Sequence, residues 1–248
     1  MTAADPDDAA LARAVAQEAG ELLLKLRARG ELSGRELGDQ GDRAADDLIL
    51  ARLKAARPDD FILSEETRDD PARCAARRVW VVDPLDGTAD YAHGLDDWAV
   101  HVGLSIDGYP AAGAVALPVA GVVHASDDSL PPFPPLPASP RMVVSRTRCA
   151  EVVRNAGAAL GATLVAMGSA GAKAMAVVGG RAEIYLHTGG QYQWDNCAPA
   201  AVALAAGLHA SRIDGTPLTY NCADPLLPDL LICRRELAPD VLAAIAAA

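Results

Sequence analysis

Hydrophobic residues recur at the spacing of an amphipathic helix in the first quarter of the chain. Leucines and a valine at positions 11, 15, 22, 23 and 26 predict a helix that starts at Asp5-Pro6 and ends near Gly30. A second helix is predicted over about 42–56, before a proline at position 58. The polar segment 31–41 between them contains three glycines and predicts a mobile loop.

Short apolar runs in the next part of the chain predict strands. Two of them, at 61–63 and 79–82, each end at acidic residues. Positions 98–106 show the alternating residue pattern of a strand, and Asp107-Gly108 is typical of a hairpin turn. Positions 112–117 are then expected to form the strand that returns after the turn. We therefore expect a hairpin, with a third strand at 121–125 beside it.

The second half of the chain alternates between strand and helix patterns. Strands are predicted at 142–145, 163–166, 182–186, 208–213 and 230–233. Helices are predicted to end near Leu160 and to begin at Ser169, Asp195 and Glu236. This order indicates an α/β lobe.

Residues 127–140 contain six prolines, which favour a stiff, polyproline-like surface segment. We interpret this segment as the junction between an N-terminal lobe, residues 1–126, and a C-terminal lobe, residues 141–248. The two lobes are expected to act as a single catalytic unit.

Composition narrows the class of protein. A chain of 248 residues with 51% hydrophobic and 22% charged residues is typical of a soluble globular protein with a sizeable core. Its net charge of −11 argues against nucleic acid as a partner, and no apolar stretch is long enough to cross a membrane. The five cysteines, with no C-x-x-C spacing, predict reduced and mostly buried thiols in the cytoplasm rather than disulfides or a zinc site. The acidic N-terminus lacks the apolar region of a secretory signal.

The segment D-P-L-D-G-T at 83–88 carries the strongest chemical signal. Pro84 is expected to stop the preceding strand, Gly87 to allow a tight turn, and Thr88 to open the next helix as its N-cap. Asp83 and Asp86 would then lie beside free backbone amides, a setting that suits both Mg²⁺ and phosphate. Taken alone, the segment is equally typical of an Asx-turn followed by a helix cap.

Further acidic residues lie next to apolar runs, at Asp42, Glu65-Glu66 and Asp195. Glu65 and Asp83 each follow a predicted strand, so we expect them to face each other at the strand ends. Taken singly, Glu65 and Glu66 are equally typical of solvated loop charges, and Asp195 of an acid that compensates a helix dipole.

The order of these elements resembles the inositol monophosphatase superfamily of metal-dependent, lithium-sensitive phosphatases. The resemblance rests on L-S-E-E at 63–66, W-V-V-D-P-L-D-G-T at 80–88 and W-D at 194–195, and it extends over about residues 10–235. It implies a mixed α/β (α+β) fold, the layered α-β-α-β-α sandwich of the inositol monophosphatase and fructose-1,6-bisphosphatase type. It also implies a homodimer.

The resemblance implies two or three Mg²⁺ ions and assigns their ligands by position. The ligands are Glu65, Asp83 and the carbonyl of Leu85 for the first ion; Asp83, Asp86 and Asp195 for the second; and Glu66, through a water, for the third. Mg²⁺ held by carboxylates neutralises phosphate oxygens and lowers the pKa of a bound water.

The catalytic residues implied by the resemblance are Asp42, Thr88 and Glu65. Asp42 matches the residue that hydrogen-bonds Thr88, whose hydroxyl can then orient a water and accept its proton. The amides of Gly87 and Thr88 are expected to hold the phosphate for an in-line attack, and Asp195 is expected to face the substrate as well as the metal.

A few positions bear on the choice of substrate. Lys173 and Ser169, near a predicted helix start, resemble the bisphosphate-nucleotidase branch of the superfamily and would bind a second phosphate; the alternative is a solvent-exposed helix lysine. Thr188 stands where inositol-type members place an acidic residue. Two glycines at 189 and 190 leave room for a flat base, on which Tyr192 could stack.

The resemblance to the bisphosphate-nucleotidase branch therefore implies a hydrolase that converts adenosine 3',5'-bisphosphate to AMP in sulfur assimilation, with 3'-phosphoadenosine-5'-phosphosulfate as a further substrate. The partner is a small phosphate ester, not a nucleic acid or a membrane. Hydrolysis of inositol-1-phosphate or fructose-1,6-bisphosphate is the alternative activity. A catalytically weak protein that senses nucleotide bisphosphates is an alternative from another class.

Overall fold

The computed structural model describes residues 5–248. This range contains seven α-helices, three short 3₁₀ turns and ten strands. The helices are α1 (Pro6–Ala28), α2 (Gly34–Ala56), α3 (Thr88–Ala92), α4 (Glu151–Ala159), α5 (Ala170–Val178), α6 (Gln193–Ala205) and α7 (Ala238–Ala246).

The strands form two sheets of five strands each. Their bounds are β1 (Phe61–Ser64), β2 (Arg78–Asp86), β3 (Ala99–Ile106), β4 (Tyr109–Leu117), β5 (Val122–Ala125), β6 (Arg141–Ser145), β7 (Thr163–Met167), β8 (Ile184–Tyr192), β9 (His209–Ser211) and β10 (Leu226–Cys233). The first sheet has the order β1-β2-β3-β4-β5, in which only β1 and β2 are parallel. The second has the order β7-β6-β8-β10-β9, in which β6 is parallel to β7 and β8, and β10 is antiparallel to its neighbours.

Three apolar cores separate the helices and sheets into five layers. Alternate side chains of β2 enter different cores: Trp80 packs with α1 and α2 on one face, whereas Val81 packs with α5 and α6 on the other. The second sheet likewise presents Tyr185 to α5 and α6, and Ile184 to α4 and α7. The predicted α-β-α-β-α sandwich is confirmed.

The predicted order of elements is confirmed, with shifts at several boundaries. The hairpin turn lies at Asp107-Gly108, where both residues have the positive φ of a type I' turn, 53° and 81°. Strand β8 continues to Tyr192 instead of ending at Leu186, so that α6 follows it directly.

The predicted loop at 31–41 is wrong, because α2 already begins at Gly34. Its glycines serve close packing rather than mobility. A Cβ added to Gly38 would lie 2.8 Å from Cγ2 of Thr88, and one added to Gly41 would lie 3.1 Å from Cδ2 of Leu85. The missing side chains therefore allow α2 to approach the 83–88 segment.

The proline-rich segment separates the two sheets along the chain, since β5 ends at Ala125 and β6 begins at Arg141. Arg234, just after β10, fixes the segment. Its Nη1 donates to the carbonyl of Pro134 over 3.0 Å, and its guanidinium lies 4.8 Å from the ring centroid of Phe133. The segment is thus attached to the second sheet.

Helix α6 lies directly on the first sheet at a pair of glycines. Gly103 of β3 and Gly113 of β4 are register partners. A Cβ added to Gly103 would lie 2.8 Å from the backbone nitrogen of Ala198, and a Cβ added to Gly113 would lie 3.1 Å from the Cα of Ala198. We call this pair the glycine seat; it fixes the height of α6 above the sheet.

The expectation of mostly buried thiols is wrong. All five cysteines are free, but only Cys197 and Cys233 are buried. Cys74 and Cys222 lie in a 3₁₀ turn and a loop, where their side chains are exposed. Over residues 5–248, no helix combines the length and the apolar character that crossing a membrane would require.

Candidate active site

Glu65 and Asp83 are neighbours because β1 and β2 run parallel. Ser64 is the register partner of Val82, and the amide of Glu65 donates to the carbonyl of Val82 over 3.3 Å. The residues that follow two adjacent parallel strands lie at the same edge of the sheet. The register thus places Glu65 beside Asp83, as the sequence pattern predicts.

A bulge in β2 turns Asp83 and Asp86 to the same side. Asp83 pairs with His101 and Asp86 with Ala99, so β2 has one residue more than β3 between these pairs. Residues three apart in a regular strand point to opposite faces, and the extra residue cancels that difference. The prediction that Pro84 ends the strand is wrong, because β2 continues to Asp86 and the bulge accommodates the missing donor.

The third carboxylate of the cluster comes from the second half of the chain. Oxygens of Asp83, Asp86 and Asp195 lie within 4.8 Å of one another. The backbone amide of Tyr192 donates to Oδ2 of Asp195 over 2.5 Å, which fixes this side chain in the first turn of α6. The helix begins at Gln193 rather than at Asp195.

The other predicted ligands are not part of this cluster. Glu65 and Glu66 are exposed and lie outside the group of three carboxylates. The carbonyl of Leu85 accepts a hydrogen bond from the Thr88 hydroxyl over 3.0 Å. The structure therefore brings Asp83, Asp86 and Asp195 into direct proximity and does not place the remaining three in the same group.

Crowding raises the pKa values of several of these carboxyls. Burial, then the charges of Glu65 and Asp86, raises the pKa of Asp83 well above its ordinary value. Burial and Asp86 raise the pKa of Asp195 to about 6. Although Glu65 as a whole residue is exposed, desolvation of its carboxyl by the surrounding protein, then the charge of Asp195, raises the pKa of Glu65 to about 8. Hard oxygen donors that repel one another in this way match a divalent cation, which would relieve the repulsion.

Asp86 behaves differently because hydrogen-bond donors surround it. Its Oδ2 accepts from the hydroxyl of Ser169 and, over 2.7 Å, from the amide of Gly171. Burial alone would raise the pKa of Asp86, but His101, Lys173 and Ser169 together lower it below its ordinary value. Asp86 thus stays ionised and ties β2 to the start of α5.

Lys173 is a buried cation beside the acidic cluster. Its side chain is only 5% exposed, so the alternative of a solvent-exposed helix lysine is wrong. The ammonium donates to the carbonyls of Gly168 and Ser169, over 3.2 and 2.5 Å, and lies 5.5 Å from the ring centroid of Tyr185. Burial lowers the pKa of Lys173, and the charge of Asp86 opposes that effect.

Thr88 lies between Asp42 and the cluster. Its Oγ1 is 3.3 Å from Oδ1 of Asp42 and 3.0 Å from the carbonyl of Leu85. Burial, then the charge of Glu66, raises the pKa of Asp42 to about 7. The prediction of Thr88 as the N-cap is wrong by one position. Gly87 is the N-cap, at a φ of 92° that favours glycine, and Thr88 is the first helical residue.

His101 is a site residue that the sequence did not reveal. It is fully buried on β3, and its Nδ1 lies 3.1 Å from the carbonyl of Trp194. Its Nε2 lies 3.3 Å from Oδ2 of Asp86, close enough for an ion pair, although the two atoms do not form a hydrogen bond. His101 therefore contacts both Asp86 and the residue before Asp195. Its only signal in the sequence is a histidine in an otherwise apolar strand.

Asp46 is a second residue that sequence reasoning missed. Its carboxylate accepts from the hydroxyls of Ser64 over 2.5 Å and Thr67 over 2.7 Å. These bonds fix the turn that carries Glu65 and Glu66. Its available signal is the four-residue spacing from Asp42, which places the two acids on one face of α2.

The residues expected near a base lie at the end of β8. Gly189 and Gly190 both have a positive φ, 73° and 77°. Tyr192 is exposed, and its ring stacks on Trp194 with centroids 4.9 Å apart and an interplanar angle of 11°. Trp194 thus covers one face of Tyr192.

We expect the metal-free protein to lose stability as pH rises. The pKa values of Asp195, Asp42 and Glu65 are raised to about 6, 7 and 8, so the folded chain holds these protons more tightly than the unfolded chain. Their contribution is complete below about pH 4 and is lost as pH rises through 6 to 8. Asp86 has the opposite sign, but it acts only at more acidic pH. The lowered pKa values of His124, His187 and His209 also have the opposite sign, and they act only below about pH 6.5.

Melting temperatures measured in EDTA should therefore fall between about pH 6.5 and pH 8.5. Mg²⁺ should raise the melting temperature more at the higher pH, where more carboxylates are ionised. A metal-free melting temperature that climbs over this range would contradict the repulsion we describe.

Known proteins resemble the chain over nearly its full length. The model of the inositol monophosphatase family matches residues 6–129 and 138–247. The 3'-phosphoadenosine 5'-phosphate phosphatase of Mycobacterium tuberculosis is 51% identical over 239 residues, which cover 92% of this chain and 90% of that protein. The 3'(2'),5'-bisphosphate nucleotidase CysQ of Escherichia coli is 30% identical over 208 residues, which cover 75% and 80%.

Solved structures have the same fold. Inositol monophosphatase II from Staphylococcus aureus superposes with a TM-score of 0.80 at 24% identity, over 95% of this chain and 94% of that one. CysQ from Bacteroides thetaiotaomicron gives a TM-score of 0.78 at 24% identity, over 92% and 97%. With its five layers, its acidic motifs and these matches, the chain belongs to the inositol monophosphatase family.

Proposed function

We propose that this protein is a metal-dependent phosphatase that removes the 3'-phosphate of adenosine 3',5'-bisphosphate and releases AMP. The observation that carries the proposal is the cluster of Asp83, Asp86 and Asp195, whose carboxylate oxygens lie within 4.8 Å. The choice of substrate is supported by the relative that is 51% identical and is named a 3'-phosphoadenosine 5'-phosphate phosphatase. 3'-Phosphoadenosine-5'-phosphosulfate is proposed as a further substrate.

The donor set suits Mg²⁺, of which we propose two or three ions. The proposed ligands are Glu65, Asp83 and the carbonyl of Leu85 for one ion; Asp83, Asp86 and Asp195 for another; and Glu66 for a third. Mg²⁺ bound there would neutralise phosphate oxygens and supply Lewis acidity. The raised pKa values of Asp83, Asp195 and Glu65 support this assignment, because burial and mutual repulsion make their ionised forms unfavourable unless a cation binds.

Thr88 and Asp42 are proposed to position the attacking water and take up its proton. The hydroxyl of Thr88 can donate to Asp42 or to the carbonyl of Leu85, which leaves its lone pairs free to accept from a water. Since the pKa of Asp42 is about 7, its carboxyl can exchange a proton near neutral pH. Glu65, whose pKa is about 8, is proposed as the third catalytic residue.

The phosphate is proposed to lie against the start of α3, where the amides of Gly87 and Thr88 precede the first turn. Asp195 is proposed to face the sugar side of the substrate. Ser169 and Lys173 are proposed to bind the 5'-phosphate. The positions of Ser169 and Lys173 beside Asp86 support this assignment. Ser169 donates a hydrogen bond to Asp86, and Lys173 helps to lower the pKa of Asp86.

The division into lobes, the oligomeric state and the cellular location are also proposals. The carboxylates of the cluster come from both sides of the proline-rich segment, which supports two lobes, 1–126 and 141–248, that form a single catalytic unit. We propose a cytoplasmic homodimer that acts in sulfur assimilation.

The test is a comparison of three substrates with purified protein: adenosine 3',5'-bisphosphate, inositol-1-phosphate and fructose-1,6-bisphosphate. We expect the first to have the highest kcat/KM, activity to disappear in excess EDTA, and Li⁺ to inhibit. Full activity in EDTA would overturn the metal dependence. A preference for inositol-1-phosphate would replace the proposed substrate, and binding without turnover of any ester would favour a sensor.

Replacing Lys173 tests its assignment to the 5'-phosphate. Lys173→Met removes the charge while keeping the buried volume, and we expect kcat/KM for adenosine 3',5'-bisphosphate to fall by about 10- to 100-fold, the loss of one charge-assisted contact. Hydrolysis of 3'-AMP, which lacks the 5'-phosphate, should barely change. Lys54→Met, at an exposed position in α2, is the control. An equal loss on both substrates would instead assign Lys173 to positioning the Gly168-Ser169 turn.

A further inference from the structure

A cavity of about 520 Å³ opens beside the C-terminal end of β6. Its wall is formed by the turn after β6, which includes Thr147 and Arg148, and by residues 186–190 of β8. Its volume lies within the usual range for small-molecule sites, about 300–1,000 Å³. None of the three clustered carboxylates lines it.

Arg148 is the cation of this cavity. Its side chain is exposed, and among the described residues its guanidinium has no carboxylate, carbonyl or aromatic partner. Arg146, two positions earlier, is instead bound to Asp90 and Asp97. The amide of Arg148 donates to Oγ of Ser145 over 3.2 Å, which fixes the turn at the cavity wall. The backbone of Arg148 is therefore fixed at the cavity wall, while its guanidinium is not neutralised.

A series of contacts connects the acidic cluster to the cavity. The Lys173 ammonium donates to the carbonyl of Ser169, whose hydroxyl donates to Asp86 of the cluster. The same ammonium lies 5.5 Å from the ring centroid of Tyr185, and that centroid lies 6.4 Å from the ring centroid of His187. His187 lines the cavity together with Arg148. A substrate with its reacting phosphate at the cluster would extend toward Arg148.

The lining matches a nucleotide rather than a small polyol phosphate. Leu186, Val144 and Val153 supply an apolar floor, and no aspartate or glutamate is present among the lining residues. Gly190 lies next to the guanidinium, since an added Cβ would be 3.6 Å from Nη1 of Arg148. A free guanidinium over an open, partly apolar surface suits a terminal phosphate beside a flat ring.

We propose that Arg148 binds the 5'-phosphate of the substrate from the cavity side and makes the enzyme prefer bisphosphates to monoesters. The proposal rests on the function proposed above and deepens it, because it assigns a specificity residue outside the family motifs. Arg148 touches only the phosphate that does not react, so its loss should weaken binding and leave the chemical step unchanged.

The test is Arg148→Ala, with Arg148→Lys as a conservative variant and Arg29→Ala, at an exposed arginine that ends α1, as the control. For adenosine 3',5'-bisphosphate, we expect Arg148→Ala to raise KM by about 10- to 100-fold at nearly constant kcat, the effect of losing a charge-assisted, bidentate contact. Arg148→Lys should give an intermediate value, because it keeps the charge but loses the fork. Hydrolysis of 3'-AMP should stay within about twofold. Unchanged KM for the bisphosphate, or an equal loss on both substrates, would overturn the proposal while the proposed function stands.

A second readout separates the two proposals. Binding of 5'-AMP, measured by calorimetry with Mg²⁺ present, needs no turnover. If the unsubstituted protein fails to hydrolyse the bisphosphate, the proposed function fails. In that case, selective loss of 5'-AMP binding in Arg148→Ala would still support the Arg148 site, and equal binding by both proteins would overturn it.

Discussion

The Asp83→Asn variant is expected to lose measurable turnover while it keeps its fold. Asp83 is 1% exposed, and its Oδ1 accepts from the amide of Leu85 over 3.0 Å, a bond that the asparagine oxygen can also accept. The substitution therefore preserves shape and removes one negative charge from the cluster. That charge is the one proposed to be shared by two cations, so its loss should remove activity even at saturating Mg²⁺.

The same substitution should leave the metal-free protein as stable as before or more stable. Burial and neighbouring charges raise the pKa of Asp83, so its ionised form is unfavourable without a cation. Melting temperatures in EDTA at about pH 8 check this expectation, with Asp59→Asn in an exposed turn as the control. Turnover near that of the unsubstituted protein would exclude Asp83 as a shared ligand, and a large drop in melting temperature would point to a structural role instead.

The Thr88→Ala variant is expected to lower kcat by about 10²–10⁴-fold, the usual effect of losing one positioned proton acceptor. KM should change far less, because the phosphate is proposed to be held by amides and metal ions. The geometry supports this division. The Thr88 hydroxyl lies 3.3 Å from Asp42, the carboxyl that can exchange a proton near neutral pH.

Thr88→Ser is the matched control, since it keeps the hydroxyl and removes only a methyl group. That methyl packs against α2 at Gly38, where an added Cβ would lie 2.8 Å away. We therefore expect Thr88→Ser to retain most of the kcat and to lose a little stability. A pure KM effect in Thr88→Ala would make Thr88 a binding residue.

Local sequence patterns predict the helices and strands of this fold better than they predict how those elements pack. The alternation around Asp107-Gly108 predicts a hairpin correctly, because turn chemistry and strand period are both local properties. The start of α2 was predicted as a loop because Gly38 and Gly41 weaken any helix signal. The contacts that those glycines make with Thr88 and Leu85 come from residues far along the chain, so the sequence pattern does not reveal them.

In the candidate site, too, the residues can be predicted from the sequence, but the contacts between distant parts of the chain cannot. The types and positions of Asp83, Asp86 and Asp195 can be read from the sequence, and the structure brings their oxygens together. The β2 bulge that turns Asp83 and Asp86 to one side depends on the register with β3. His101 could not be predicted either, since only the folded chain places a β3 residue against Asp86.

The glycine seat has a consequence for the order in which the chain folds. Gly103 and Gly113 belong to a local hairpin, whereas Ala198, which rests on them, follows much later in the chain. Contacts between distant segments must close long loops, and they form more slowly than local ones. Docking of α6 on the seat brings Asp195 to Asp83 and Asp86, so the three-carboxylate cluster is completed only when this late step occurs. During synthesis, the acidic edge of the first sheet therefore leaves the ribosome well before the residue that completes the cluster.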